Sequence, residues 1–352
     1  MRIAVIASSR FPVAEPFAGG LEAWTHMLVT ELHARGHELT LFAAPGSDPD
    51  LPVRTLDVPA WEPSEVALAD VNSPSRTWMH EHHAYLSLML ELSQRSDIDV
   101  VHNSSLHHLP VAMAHLLDAP MVTTLHTPPL PWLESALALR RDAGVFVAVS
   151  RRTAEEWQHV VPARYVHNGV DVRRFTPGFG GGPAVWTGRL TAEKAPHEAI
   201  RAARLAGVEL VLAGPVADEA YVEREVRPLL GPDVRYAGHL RRAELVSLLG
   251  SASVAVTTPA WEEPYGLVAA EAMACGTPVA AYARGALPEL VPPTAGRLAA
   301  PGDVEGLAAA IVEARGCDRR AVREHALQHC SLSRMVDEYE ALYTSLTDRR
   351  VA

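Results

Sequence analysis

Apolar residues follow two rhythms along this chain. Short runs rich in Val, Ile and Leu have the length and composition of buried strands. Between them lie longer stretches whose apolar positions recur every three or four residues, as on one face of a helix. In the first half, residues 2–8, Glu38–Ala44, Asp99–His102, Met121–Thr124 and Val145–Val149 predict strands. Helices are predicted from about Leu21 to Arg35, Ser75 to Arg95, His107 to Leu117 and Arg151 to His159. The first of these carries Leu21, Trp24, Leu28 and Leu32 on one side and closes at Gly36. Residues Asp50–Pro74 are proline-rich and irregular, with one short strand near Val53–Leu56. The second half repeats the alternation, with strands at Ala184–Gly188, Glu209–Ala213, Val234–Ala237, Val254–Thr258, Val279–Ala281 and Gly296–Leu298. Thr176–Pro183 reads by composition as a flexible linker, and an amphipathic helix from about Leu332 to Leu346 ends the pattern. Strands alternating with helices argue for parallel βαβ units. The chain is therefore read as α/β, with two Rossmann-like domains facing each other across a cleft. The first covers 1–170, a linker 171–183, the second 184–330, and a C-terminal helix 331–352.

Composition narrows the chemistry. A formal charge of −11 speaks against a nucleic-acid partner. Residues 1–170 hold 11 basic against 19 acidic side chains, so stable docking of this half on an anionic membrane is not expected. Three scattered cysteines without a CxxC pair suit a reducing cytosol. The apolar start Met1–Ala7 is too short for a signal peptide, and no run is long enough to span a bilayer, so a cytoplasmic location is expected. Of 31 basic residues 30 are Arg, and Lys194 is the one lysine.

The richest stretch is Val254–Val279: a strand, an acidic loop with Glu263, then an Ala-rich helix opened by Gly266 and carrying Glu271. In a doubly wound sheet, ligands bind at such strand ends. Amides at the start of that helix, from Gly266, Leu267 and Val268, lack intrahelical partners and favour an anion. Glu271, two turns from Glu263 in an apolar helix, needs a partner and could accept two bonds from a vicinal diol such as a ribose. Glu263 sits in a loop where an ordinary surface charge is the simpler reading. Gly188-Arg189 through Lys194 places a guanidinium and an ammonium beside another strand end, a receptor for a diphosphate. Gly19-Gly20 before the first long helix is a second anion site of that kind. His126 follows the strand Met121–Thr124 and should face the cleft as a polar contact or acid–base group. Two histidine groups, His80-Glu81-His82-His83 and His102 with His107 and His108, match no metal-ligand pattern such as HExxH, so no metal is expected. The second group, with Asn103 and Thr127, is read as part of an acceptor pocket. Cys275 reads as core, and the stripe Trp78, Tyr85, Leu86, Met89, Leu92 likewise. No GxGxxG follows the first strand, which disfavours a dinucleotide-dependent oxidoreductase.

Taken in order, several of these segments resemble the retaining glycosyltransferases of family 4, of GT-B architecture. They are Gly19-Gly20, His126, Val149-Ser150, Asn168-Gly169-Val170-Asp171 with Phe175, Gly188-Arg189 through Lys194, Leu212-Ala213-Gly214, Tyr236-Ala237-Gly238, and Glu263-Pro264-Tyr265-Gly266-Leu267 through Glu271. The resemblance covers nearly the whole chain, and the two glutamates with seven residues between them are the family's signature. It implies a small-molecule nucleotide-diphosphate sugar as donor, held at its diphosphate by Arg189 and Lys194 and at its ribose by Glu271. Glu263 and His126 would contact the transferred sugar, while Gly20, Gly266, Leu267 and Val268 would line its subsite. The terminal helix would cross back onto the first domain. No metal or other cofactor is required by this scheme, and a soluble acceptor is expected. Ala195 departs from the Gly common after the lysine, and Tyr265 from a common Phe. An epimerase of the same architecture and a non-catalytic nucleotide-sugar-binding protein are the alternatives. By family frequency the resemblance points first to a UDP-sugar donor.

Overall fold

The computed structural model describes residues 1–58, 61–139 and 143–351. Seven strands build the first sheet: β1 (Arg2–Ile6), β2 (Glu38–Ala43), β3 (Val53–Thr55), β4 (Val100–Asn103), β5 (Met121–Leu125), β6 (Val145–Ala148) and β7 (Ala163–Tyr165). Six build the second: β8 (Ala184–Thr187), β9 (Leu210–Ala213), β10 (Val234–Tyr236), β11 (Ala255–Thr257), β12 (Val279–Tyr282) and β13 (Gly296–Ala299). The orders are β3-β2-β1-β4-β5-β6-β7 and β10-β9-β8-β11-β12-β13, with β1–β4 and β8–β11 paired in parallel like all the others. Each sheet starts at its centre, grows to one edge and then returns past its first strand. Winding therefore reverses between β1 and β4 and between β8 and β11. Loops leaving the strands there diverge and open a crevice.

Strand alternation explains why both faces of each sheet are covered. In β1, Ile3 and Val5 point to one apolar cluster and Ala4 and Ile6 to the opposite one. In β12, Val279 and Ala281 pack on the helix Leu267–Ala274, while Ala280 and Tyr282 join the cluster beneath the helix Val304–Ala314. Buried on two sides, such strands read as continuous apolar runs. The C-terminal helix Leu332–Val351 belongs to the first domain: Met335, Tyr339, Leu342 and Tyr343 are buried beside Trp24 and Leu28.

The chain crosses between domains twice, and the crossings are tied together. Val170 N–H donates to Cys330 O at 2.8 Å, and Leu332 N–H to Val170 O at 2.9 Å. A Cβ on Gly169 would lie 2.6 Å from Leu332 Cα, so this residue lets the two strands of chain touch.

Three expectations are corrected. The Thr176–Pro183 segment is not a loose linker: Gly180 and Gly182 donate to Gly250 O (3.0 Å) and Ser251 O (2.9 Å), and a Cβ on Gly178 would strike Gly250 at 2.4 Å. Gly178, Gly180 and Gly182 serve close packing. A helix at Pro131–Leu139 and strand β7 complete the first domain, although neither stands out in the sequence. At a sheet edge β7 buries none of its residues fully and so carries little apolar signal. Trp78 is 40% exposed and stacks on His82 (centroids 4.7 Å), while Tyr85, Met89 and Leu92 of the same stripe are core.

Candidate active site

The two crevices face each other and enclose a cavity of about 730 Å³ lined from both domains. On the second domain, the turn after β8 places the cations. Lys194 N–H and Ala195 N–H both donate to Thr191 O, and Ala195 takes a left-handed backbone (φ 44°) to launch the helix Pro196–Leu205. A left-handed Ala is disfavoured by its Cβ, which explains why Gly is the commoner choice at this step. Trp186 Nε1–H donates to Thr258 Oγ1 at 3.0 Å, and that hydroxyl faces Lys194 O and Ala195 O at 3.0 and 2.9 Å. The loops after β8 and β11 are thereby clipped together. Where β8 and β9 end, Gly214 (φ 141°) lies so close to Gly188 that a Cβ would fall 1.8 Å from Gly188 O.

Lys194 Nζ meets Glu263 Oε2 at 2.5 Å and lies 5.1 Å from the Trp261 ring centre, and Trp261 Nε1–H donates to the same carboxylate oxygen at 3.3 Å. Glu263 is 9% exposed, so it is no surface charge. Arg189 reaches Glu193 only at 3.4 Å and leaves much of its guanidinium open to the cavity. Gly266 caps the Leu267–Ala274 helix with φ 95°; helical bonding starts at the amides of Ala269 and Ala270, leaving those of Gly266, Leu267 and Val268 for a ligand. Glu271 also lines the cavity and makes no side-chain hydrogen bond among the described residues. Burial pushes its carboxyl up to about 7, with Arg242 opposing.

On the first domain, Gly20 opens the helix Gly20–Ala34, and its Cα faces Leu267 so closely that a Cβ would lie 3.2 Å from Leu267 Cδ1. His126 edges onto Trp24 at 4.6 Å, and its Nε2 is buried without a partner. Burial, then neighbouring His102, bring it down to about 3, so the ring is neutral at neutral pH. Glu22, in the first turn of the same helix, is 5% exposed with its carboxyl raised by burial; Arg189 across the cleft opposes that shift.

Two descriptions of known families match the chain: "Glycosyltransferase Family 4" over residues 18–174 and "Glycosyl transferases group 1" over 184–324. A glycogen synthase of Mycobacterium tuberculosis is 30% identical over 363 residues, covering 88% of this chain and 85% of that protein. The chain belongs to glycosyltransferase family 4. A D-inositol 3-phosphate glycosyltransferase of Mycobacterium avium is 28% identical and covers 99% of this chain and 96% of its own length. Among solved structures, Anabaena HepE in complex with UDP and glucose superposes with a TM-score of 0.74 at 18% identity, over 98% of this chain and 100% of that one. At that identity the likeness concerns the GT-B fold.

This family 4 enzyme transfers sugars, and the structure gathers most of the residues singled out above around one cavity. Gly19, Gly20, His126, Thr127, Gly188, Arg189, Lys194, Glu263, Gly266, Leu267, Val268 and Glu271 all line it. Three acceptor candidates do not. His102 is fully buried, bonded through Nδ1 to the Tyr343 hydroxyl and through Nε2 to Thr124 Oγ1 (2.9 Å), so it anchors the C-terminal helix. Asn103 is spent on Ser105, whose N–H and hydroxyl it accepts at 3.1 and 2.7 Å. His107 caps the helix His108–Met113 and stacks on Tyr85 at 4.3 Å. Arg242 and Asn168 escaped the sequence reading. Arg242 spans the cleft to Glu15 (2.8 Å) and lies over Phe17 (5.3 Å), and Asn168 Oδ1 is buried without a partner on the cavity wall. Nothing local distinguishes Arg242 from Arg241. Asn168 sat within a named segment, and only its burial beside the cavity marks it.

Proposed function

We propose that the enzyme is a retaining hexosyltransferase that uses a nucleotide-diphosphate sugar, a UDP-sugar in the first instance, and passes the sugar to a soluble acceptor. The observation that carries this is the joint placement of Arg189, Lys194 and the start of the Leu267–Ala274 helix around a cavity in which Glu271 stands without a partner. Two cations and a helix N-terminus suit a diphosphate, and an unpartnered carboxylate suits a ribose diol. HepE, solved with UDP and glucose, supports a uridine donor.

In this scheme the C1–O bond to the diphosphate breaks first, and the electron pair leaves on the phosphate oxygen. Arg189, Lys194 and the helix amides absorb that charge, so catalysis is chiefly electrostatic. Lys194 gives up or shares Glu263, which turns toward the sugar hydroxyls. The acceptor oxygen then bonds to C1 on the face the diphosphate leaves, and its proton passes to a phosphate oxygen. His126 contacts the sugar as a neutral ring. Neither a metal ion nor a further cofactor is needed, because the cations already face the diphosphate.

The test is a thermal-shift screen of UDP, GDP and their sugars, followed by incubation of the tightest donor with and without sugar acceptors. Transfer to an acceptor with retained anomeric configuration supports the proposal. A new nucleotide sugar formed from donor alone makes the protein an epimerase, and an inverted product overturns the retaining step.

A further inference from the structure

The two histidine groups of the sequence, which match no ligand pattern separately, converge in space. His82, from the helix Arg76–Leu92, and His107 and His108, after β4, bring ligand nitrogens within 4.8 Å of one another. Among the described residues this is the only such cluster. An aromatic box alone would account for the packing: Trp78 stacks on His82, Tyr85 on His107, and Trp132 tilts against His107 and His108 at 5.7 Å. It does not account for the polar atoms. Nδ1 of His82 and Nδ1 of His108 are both buried without a hydrogen-bond partner. Two orphaned ring nitrogens in one cluster are costly unless something binds them.

We propose that His82, His107 and His108 bind one divalent transition-metal cation of the zinc type. Three imidazoles suit such a borderline ion, and a water or small ligand can take the fourth position because His82 and His108 are only partly buried. Tetrahedral bonding at about 2.0–2.1 Å to nitrogen sets the ligand atoms about 3.4 Å apart, so ring shifts of no more than about 1.4 Å complete the site. One contact is given up. The His107 Nδ1 that accepts Leu109 N–H at 3.2 Å must take the proton if Nε2 holds the ion, at a cost of about 1 kcal/mol.

The position gives the ion a mechanical role. Tyr85, stacked on His107, donates to Ala7 O at 2.9 Å and accepts Ser9 N–H at 3.0 Å, which fixes the loop from β1 toward Gly19-Gly20. Arg10, which lines the cavity, lies over Trp132 and pairs with Glu81 beside His82. A bound cation would clamp the Arg76–Leu92 helix to the segment after β4 and stiffen this side of the cleft.

The test uses untagged, chelator-treated protein titrated with Co²⁺ and read by the visible bands of four-coordinate cobalt, with Zn²⁺ then competing. One equivalent bound, a signal abolished in His82→Ala and His108→Ala but kept in His33→Ala, and a Zn²⁺-dependent rise in Tm seen only in the wild type and the control support the site. Each ligand lost should weaken binding more than about tenfold. No cobalt signal, or a signal that survives both substitutions, overturns it. Circular dichroism checks each variant, and if His108→Ala does not fold, His82→Ala, at a partly exposed position, decides alone.

Discussion

Beside β8 and β11, the second sheet presents Arg189, an ion-paired Lys194 and free helix amides. On the first sheet, the segment after β1 presents Gly19-Gly20 and the protonation-prone Glu22, and the end of β5 presents a neutral His126. Both sheets wind in the same order and open their crevices at the same step. Topology therefore sets where a ligand sits, and the side chains at the strand ends set which part of it is held. The second edge is built for charge. The first has Arg10 in the loop after β1, tied to Glu81 and Trp132, and in the proposed scheme it shapes the space around the sugar.

The largest break in this contrast comes from Lys194→Ala. Transfer should fall by about 10²–10³-fold in kcat/KM, the size of losing one preorganised donor to a developing oxyanion, in a steady-state assay with the cognate donor. Removing its partner with Glu263→Gln should lower transfer less and leave nucleotide binding nearly intact, because Glu263 is assigned to the sugar.

Glu271→Gln separates binding from stability. Nucleotide affinity should fall by about 10–100-fold, the worth of a charge-assisted hydrogen bond. The ligand-free protein should gain stability. The Glu271 carboxyl is raised to about 7 from an ordinary value near 4.5, so the folded chain holds the proton more tightly than the unfolded one. Wild-type stability therefore declines as pH rises from about 4.5 to 7 and remains lower above it, and the Gln variant lacks that decline. Denaturant melts at pH 5 and pH 8 should show no advantage at the lower pH and a gain of about 1–3 kcal/mol at the higher.

These two residues also show what a sequence exposes. The Ala-rich helix around Glu271 and the one lysine at Lys194 are local signals, and both residues line the cavity. His102 and His107 looked equally promising after β4, yet they answer to the C-terminal helix and to Tyr85, partners far away in sequence that no local spacing reveals. The glycines at 178–182 misled for a related reason. Composition suggests looseness, whereas Gly250 packs against Gly178, Arg319 against Gly180 and Ser251 against Gly182, leaving no room for side chains there. His82 joins His107 and His108 only because a helix and a strand end pack together.

Smaller effects sharpen the acceptor side. His126→Gln should lower kcat/KM by about tenfold, the scale of one neutral hydrogen bond. Because burial holds the ring near 3, the variant should leave the pH–rate profile between 6 and 8 unchanged. Ala195→Gly should raise stability by no more than about 1 kcal/mol through relief of the left-handed backbone, seen as a small rise in Tm without loss of transfer.

The division of labour between the two edges is tested most directly by calorimetric titration of UDP into the wild type, Lys194→Ala and His126→Gln at pH 7.5. UDP carries the diphosphate but no sugar. Its affinity should drop by about 30-fold or more in Lys194→Ala and stay within about threefold in His126→Gln. Equal binding to wild type and Lys194→Ala, or a loss confined to His126→Gln, would contradict the account.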